Sequence, residues 1–413
     1  MKKLKIGLLL CILLIVYIYI ANITLFPTSI ILMQGEKLKV ATLWGLQMKE
    51  IQNSNPNIGK YQNEKTMEAS VITDQENSLT EVGKVNASLN LFDIFAIKNV
   101  NVSVIPKTTV IPLGNAMGLK LYTNGVLVVG MSEIEGSKPY ENTGIEEGDM
   151  IVSINETTIT CTADLIETVN ESKGEKIQVT YRKDEQIQTA SMIPVKTKEN
   201  EYKLGLWVRD AAAGVGTATF YEPATGMFAS LGHGITDVDT GNLITIANGE
   251  LVTSNIVSVT KGERGKPGEI RGSIEGSKKV GEVSKNTAFG IFGKIINKNY
   301  LSITNQEMEV ATREEIKIGK AQIICEIETG KRKTYEIEIQ KIYTGNNQDN
   351  KSMQIKVTDE ELLQKTGGII QGMSGSPIIQ NGKFVGAVTH VLVNDPTSGY
   401  GVFADMMLKQ MRS

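Results

Sequence analysis

The chain opens on an unbroken apolar run from Ile6 to Ala21, preceded by Lys2, Lys3 and Lys5 and only lightly interrupted by Asn22 and Thr24 before Phe26. The run has no polar face, and about 20 such residues match the hydrocarbon thickness of a bilayer. Residues 1–27 therefore read as a signal anchor, with the basic end in the cytoplasm and everything after Pro27 exported. No small-residue pair stands before a cut near Ala21, which argues against a removable signal peptide. From 28 to 107 the pattern shortens to period-two alternation, clearest at Val100, Val102 and Val104, and predicts a small β-rich unit. A stretch near 47–65, rich in Asn, Gln, Lys and Glu, breaks that alternation and reads as an exposed linker open to proteolytic nicking.

Between 108 and 198 the order of elements changes. Strand-like Val126 to Val129 is followed by the Gly-bounded turn and apolar strand GIEEGDMIVSIN, residues 144–155. A Thr-capped segment with Leu165, Ile166 and Val169 at helical spacing comes next, then an alternating strand with Ile177, Val179 and Tyr181. From Gly205 onward glycine is dense and short apolar stretches recur, which predicts an all-β barrel or sandwich over 199–413, large enough for two small barrels. Met406, Met407 and Met411, interleaved with polar residues, predict a short terminal helix.

Composition narrows the chemistry. Lys plus Arg is 43 against 46 for Asp plus Glu, without long runs of like charge, so nucleic acid is not an expected partner. The chain has two histidines, His233 and His390, which excludes a His-rich metal centre, and nothing calls for a metal or another cofactor. The three cysteines, Cys11, Cys161 and Cys325, read as free thiols.

Two motifs carry the functional reading. The order of elements over 108–198, with GIEEGDMIVSIN at its centre, resembles a PDZ domain, an α+β peptide-binding module. In such domains an apolar-Gly-apolar turn holds a chain-terminal carboxylate, and Met117-Gly118-Leu119 stands where that loop is expected. The second motif is Gly372-Met373-Ser374-Gly375-Ser376-Pro377, followed by a strand, an Asn-Gly turn and another strand. It resembles the nucleophile loop of chymotrypsin-like serine proteases, and implies a double β-barrel. A nucleophilic serine must project from a tight turn, with the Gly372 and Ser374 amides free to hold the oxyanion. The base must come from the two histidines. His233, flanked by small residues and placed before the serine, fits that role, whereas His390 falls on a strand beside the expected specificity pocket or is simply a buried strand histidine. Asp359 ends an apolar stretch ahead of Ser374 and is either the third member that orients the imidazole or the N-cap of the following helical turn.

Taken in order behind an N-terminal anchor, these segments resemble the sporulation stage IV protein B family, a PDZ-containing serine peptidase of endospore-forming Firmicutes. The likeness is densest at 221–223, Leu231-Gly232-His233, 289–293 and 366–402, and weakest over the first hundred residues. It implies a mainly β protein whose Ser374, His233 and Asp359 are catalytic. It also implies export across the forespore membrane to the intermembrane space, with membrane attachment ended by self-cleavage. The implied partners are protein substrates, including the chain itself and a membrane-bound sporulation regulator, and C-terminal peptides at the PDZ groove. Cleavage of the regulator would trigger activation of the late mother-cell sigma factor. Two other readings fit the motifs: a non-catalytic PDZ scaffold, and an exported quality-control protease.

Overall fold

The computed structural model describes residues 2–36, 46–50, 82–92, 94–184, 186–301, 306–343 and 350–413. Lys2–Leu25 is helical, with Leu10, Leu13, Leu14 and Tyr17 exposed. The Lys98 ammonium donates to the Ile23 and Thr24 carbonyls at 3.1 and 3.3 Å, closing the helix at its C-terminal end, where a positive charge is favourable. Among the described residues no helix is long and apolar enough to cross a membrane, so the expected spanning anchor is not supported.

The β-rich unit after it is a four-stranded sheet in the order Ser29–Met33, Phe95–Ile105, Gly83–Leu91, Leu46–Glu50. Val100, Val102 and Val104 face its core, as their alternation predicts. The linker expected near 47–65 differs at its start, because Gln47 to Glu50 pair with Ala87 to Asn90 as a strand; its remainder lies outside the described residues.

Two closed barrels follow. The second is the simpler, with strands Gly319–Glu326, Arg332–Ile342, Met353–Val357, Asp395–Phe403, Lys383–Leu392 and Pro377–Gln380 in ring order. The first uses Ile246–Thr253, Lys279–Thr287, Gly290–Ile295 and Met227–Ser230, and is closed by two long strands, Ala116–Met131 and Leu206–Glu222, which pair with each other along most of their length. Ile111, Leu113, Met117, Leu119 and Leu121 all point into the first barrel's core. Strand residues from 109 to 122 thus pair into the first barrel, ahead of the boundary expected at 199, and the rest of the PDZ-like unit lies between the barrel's strands.

The same two long strands continue out of the barrel into that unit. Their far ends, Val126 to Met131 and Leu206 to Arg209, extend a sheet completed by Met150–Ile154, Ile177–Lys183 and Gln186–Met192. Helix Thr162–Glu171 covers the sheet with Leu165 and Val169, which meets the expected helical spacing. Ile166, the third apolar position of that helix, is left exposed.

The terminal helix Ala404–Arg412 wedges Ala404, Met407, Leu408 and Met411 into a core shared by the two barrels, against Phe220, Phe292 and Phe384. Arg313 donates to the buried Asp405 carboxylate at 2.6 Å and fastens this helix from outside. The cysteines are free thiols, as their spacing suggests.

Candidate active site

The cleft between the barrels has a volume of about 520 Å³ and brings together Ser374, Gly372, His233 and His390. The segments that carry Ser374 and His233 into it are bent by backbone that few residues accept. Gly372 and Gly375 lie at φ +95° and +97°, so Ser374 projects from a turn that two glycines permit. A Cβ on Gly375 would stand 2.1 Å from the Thr217 carbonyl oxygen, which shows how tightly the loop of the second barrel is pressed onto the first. On the opposite side Leu231 and Gly232 take φ +69° and +70° and turn His233 into the cleft.

Hydrogen bonds around the serine loop account for its peptide units one by one. The Gln371 carbonyl accepts from the Ile270 amide at 2.8 Å, and the Met373 carbonyl accepts from the Ser376 amide and hydroxyl at 3.0 and 2.7 Å. In a trans peptide the N–H points opposite to the C=O. Holding these two carbonyls inward therefore turns the Gly372 and Ser374 amides outward. Neither amide donates to a backbone carbonyl among the described residues, which is the arrangement an oxyanion hole needs.

The His233 Nδ1 lies 2.8 Å from the Gly234 carbonyl oxygen. A carbonyl can only accept, so Nδ1 carries the proton and Nε2 keeps a lone pair for a substrate hydroxyl or serine. Burial in the cleft holds the imidazole pKa below its ordinary 6.5. Because the neutral ring is the competent base, kcat/KM is expected to stay near its plateau as the pH falls through 6.5 and to decline only below it. A pH profile checks this, and an acid limb above 6.5 would refute it. The Ser374 hydroxyl donates to the Thr389 carbonyl at 2.7 Å, and no hydrogen bond joins it to His233 among the described residues. A turn about its side-chain bond is required before proton transfer. The His390 ring sits 5.2 Å from the His233 ring, centroid to centroid, and is half-buried in the cleft wall.

The structure does not bring Asp359 to this cluster. Its two carboxylate oxygens accept from the Leu362 amide at 3.0 Å and the Glu336 amide at 3.3 Å, as the N-cap of helix Glu360–Thr366. Of the two roles open to it in the sequence, this geometry displays the cap; the group that orients the imidazole is the Gly234 carbonyl.

The tripeptide expected to hold a chain terminus does not open onto a free sheet edge. Met117, Gly118 and Leu119 are buried mid-strand, hydrogen-bonded to Ile246–Thr253 on one side and Leu206–Glu222 on the other, so no edge is left for a peptide. The matching feature is Leu204-Gly205-Leu206, an apolar-Gly-apolar turn with Gly205 at φ +75° that opens the sheet's edge strand. Between that strand and helix Thr162–Glu171 runs a groove of about 600 Å³, lined by Leu165, Ile166, Val169, Leu206 and Val208. In the sequence only Met117-Gly118-Leu119 stands where that loop is expected, ahead of the unit's first strand. Here the chain enters the unit on a different strand, and Trp207-Val208 after Leu204-Gly205-Leu206 was the available signal.

Comparisons with known proteins recover both units, with boundaries near those expected from the sequence. The family model described as SpoIVB peptidase S55 matches residues 200–408, just over half of the chain, and a PDZ domain model matches 113–193. The protein is thus a serine endopeptidase with a PDZ domain. More particularly, the chain belongs to the SpoIVB peptidase S55 family. Among curated protein sequences none matches it. Solved structures resemble parts of it distantly. The PDZ domain of the SdrC-like protein from Listeria monocytogenes is 17% identical over 21% of this chain and 87% of its own, with a TM-score of 0.18. Rv3671c from M. tuberculosis is 14% identical over 48% of this chain and 82% of its own, with a TM-score of 0.28. Deg5 is 12% identical over 48% and 80%, with a TM-score of 0.28.

Proposed function

We propose that this peptidase acts in a sporulation signalling pathway, cutting first itself and then a membrane-bound regulator, and so triggers activation of the late mother-cell sigma factor. The observation that carries the catalytic part is the convergence of Ser374 and His233 in one cleft, beside two outward amides. Ser374 attacks the peptide carbonyl while His233 Nε2 takes its proton and returns it to the leaving amine. The Gly372 and Ser374 amides hold the developing oxyanion, each donor contributing about 3–4 kcal/mol to the transition state. His390, on the cleft wall, contacts the substrate side chain.

The groove beside Ile166 receives a chain terminus of the substrate or of the protein itself, with the carboxylate at the Leu204–Leu206 turn. Family membership supports export across the forespore membrane to the intermembrane space. The exposed apolar side chains of Lys2–Leu25, behind three lysines, support attachment to a lipid surface until self-cleavage releases the rest.

Sequencing the mature N-terminus of the wild type and of Ser374→Ala tests the proposal. A new N-terminus within 47–65 is expected in the wild type alone, formed at a rate that a peptide with a free C-terminal carboxylate changes and its amide does not. The same N-terminus in both proteins would sink self-cleavage, and equal effects of the two peptides would sink the groove's role.

A further inference from the structure

One side chain of the first barrel reaches across to the serine loop of the second. Thr217, on the Leu206–Glu222 strand, is 1% exposed. Its hydroxyl donates to the Gly372 carbonyl at 2.8 Å and its amide donates to the Ser374 carbonyl at 3.0 Å. Its own carbonyl accepts from the Leu231 amide at 3.2 Å and the Ser230 hydroxyl at 3.0 Å, at the turn that delivers His233. A single residue thus touches both the loop that carries the serine and the turn that carries the histidine. Gly216 and Gly375 make room for this: a Cβ on Gly216 would meet Leu231 Cδ2 at 2.1 Å, and one on Gly375 would meet the Leu231 amide nitrogen at 2.6 Å.

The peptide unit that the hydroxyl holds is the one between the two oxyanion donors. The Gly372 amide belongs to the unit before it and the Ser374 amide to the unit after it. Rotating the middle unit changes ψ at 372 and φ at 373; where the two changes do not cancel it tilts both neighbours, and glycine at 372 imposes little barrier of its own. A carbonyl released from Thr217 would be free to swing toward the cleft, where its negative end would oppose the oxyanion.

We propose that Thr217 is the positioning residue of the oxyanion hole, its hydroxyl locking the Gly372 carbonyl away from the cleft so that the two amides stay aimed at the reacting carbonyl. The proposal rests on Ser374 being the nucleophile. An ordinary buried strand threonine would satisfy its hydroxyl within its own barrel or not at all, and the same strand supplies that case: Thr219 is fully buried and its hydroxyl has no partner among the described residues.

That contrast gives the experiment its control. Phosphonylation by a fluorophosphonate forms a bond from the Ser374 oxygen to phosphorus and expels fluoride, and its P=O oxygen draws on the same two amides. Rates are measured on the full chain for Thr217→Val, Thr217→Ser and Thr219→Val, together with the melting temperature. Thr217→Val is expected to lower the maximal labelling rate roughly tenfold or more with the half-saturating concentration unchanged. Thr217→Ser, which keeps the hydroxyl, is expected to return it to within about threefold of wild type, and Thr219→Val to match wild type. Should Thr217→Val not fold, Thr217→Cys, of similar size and weaker as a donor, is expected to show the same loss. A wild-type rate from the valine or cysteine variant overturns the proposal, as does a loss that serine does not rescue or that Thr219→Val reproduces. If Ser374→Ala were labelled as fast as wild type, the nucleophile assignment itself would fall, which is a separate outcome.

Discussion

Replacing His233 with alanine is expected to lower kcat/KM by on the order of 10⁴- to 10⁶-fold, the loss that follows when a serine has no base. His390→Ala is expected to alter KM and side-chain preference far more than kcat, because the His233 tautomer is fixed by a backbone acceptor next to the turn that places its ring. Asp359→Asn is the third arm. A residue that orients the imidazole would cost about 10⁴-fold in kcat when converted to its amide. Asp359 instead caps a helix and accepts the Glu336 amide; asparagine keeps the cap and loses only the second acceptor, so the asparagine variant should keep kcat within about tenfold and melt at most a few degrees lower, as loss of one hydrogen bond of about 1 kcal/mol requires. Steady-state kinetics and melting curves on the three variants decide the matter. A dead Asp359→Asn with an unchanged melting temperature would put the carboxylate back into the catalytic machinery, and an active His233→Ala beside an inactive His390→Ala would exchange the histidines.

The second large effect concerns folding. A fragment of residues 199–413 is expected to show no cooperative melting transition and no fluorophosphonate labelling, whereas residues 109–413 retain both. The short fragment lacks the strand that closes the first barrel and with it the side chains of Ile111, Leu113, Met117, Leu119 and Leu121. Each is worth roughly 1.5–3 kcal/mol when fully buried, and a domain's whole margin is about 5–15 kcal/mol. Removing the strand also uncovers one edge each of Ile246–Thr253 and Leu206–Glu222, an invitation to aggregate. A folded, labelled 199–413 would show that the barrel closes without its first strands.

These outcomes follow where local pattern ends and topology begins. Ser374 could be read from the sequence because its geometry is encoded locally: two glycines at positive φ around a serine, then a hairpin. His233 was legible because the chain has so few imidazoles. The helix Thr162–Glu171 and the strands of the PDZ unit carry their periodicities within a few residues, and they form where those periods place them. For residues 109–122 the sequence reading and the strand pairing differ, because a strand's partner is not written in its own alternation. Leu119 and Leu121 alternate equally well in either sheet, and only pairing with Ile246–Thr253, far along the chain, decides between them. Asp359 kept two open roles in the sequence for a related reason. Both a cap and a triad member ask for a carboxylate after a strand, and the difference lies in which loop stands opposite.

The paired strands Ala116–Met131 and Leu206–Glu222 also act as a ruler. From Leu206, at the mouth of the peptide groove, to Thr217, under the serine loop, the chain runs through one continuous strand. At about 3.3 Å per residue those eleven steps span at most roughly 36 Å, shortened where bulges at Trp207/Val208 and Arg209/Ala211 bend the ladder. On the proposed function, a substrate gripped by its terminus in the groove and cut at Ser374 would need up to about ten extended residues between its end and the scissile bond. Much shorter tails would then bind without being cut, and the distance from the chain end would become a selection criterion in addition to the side chains at the cut.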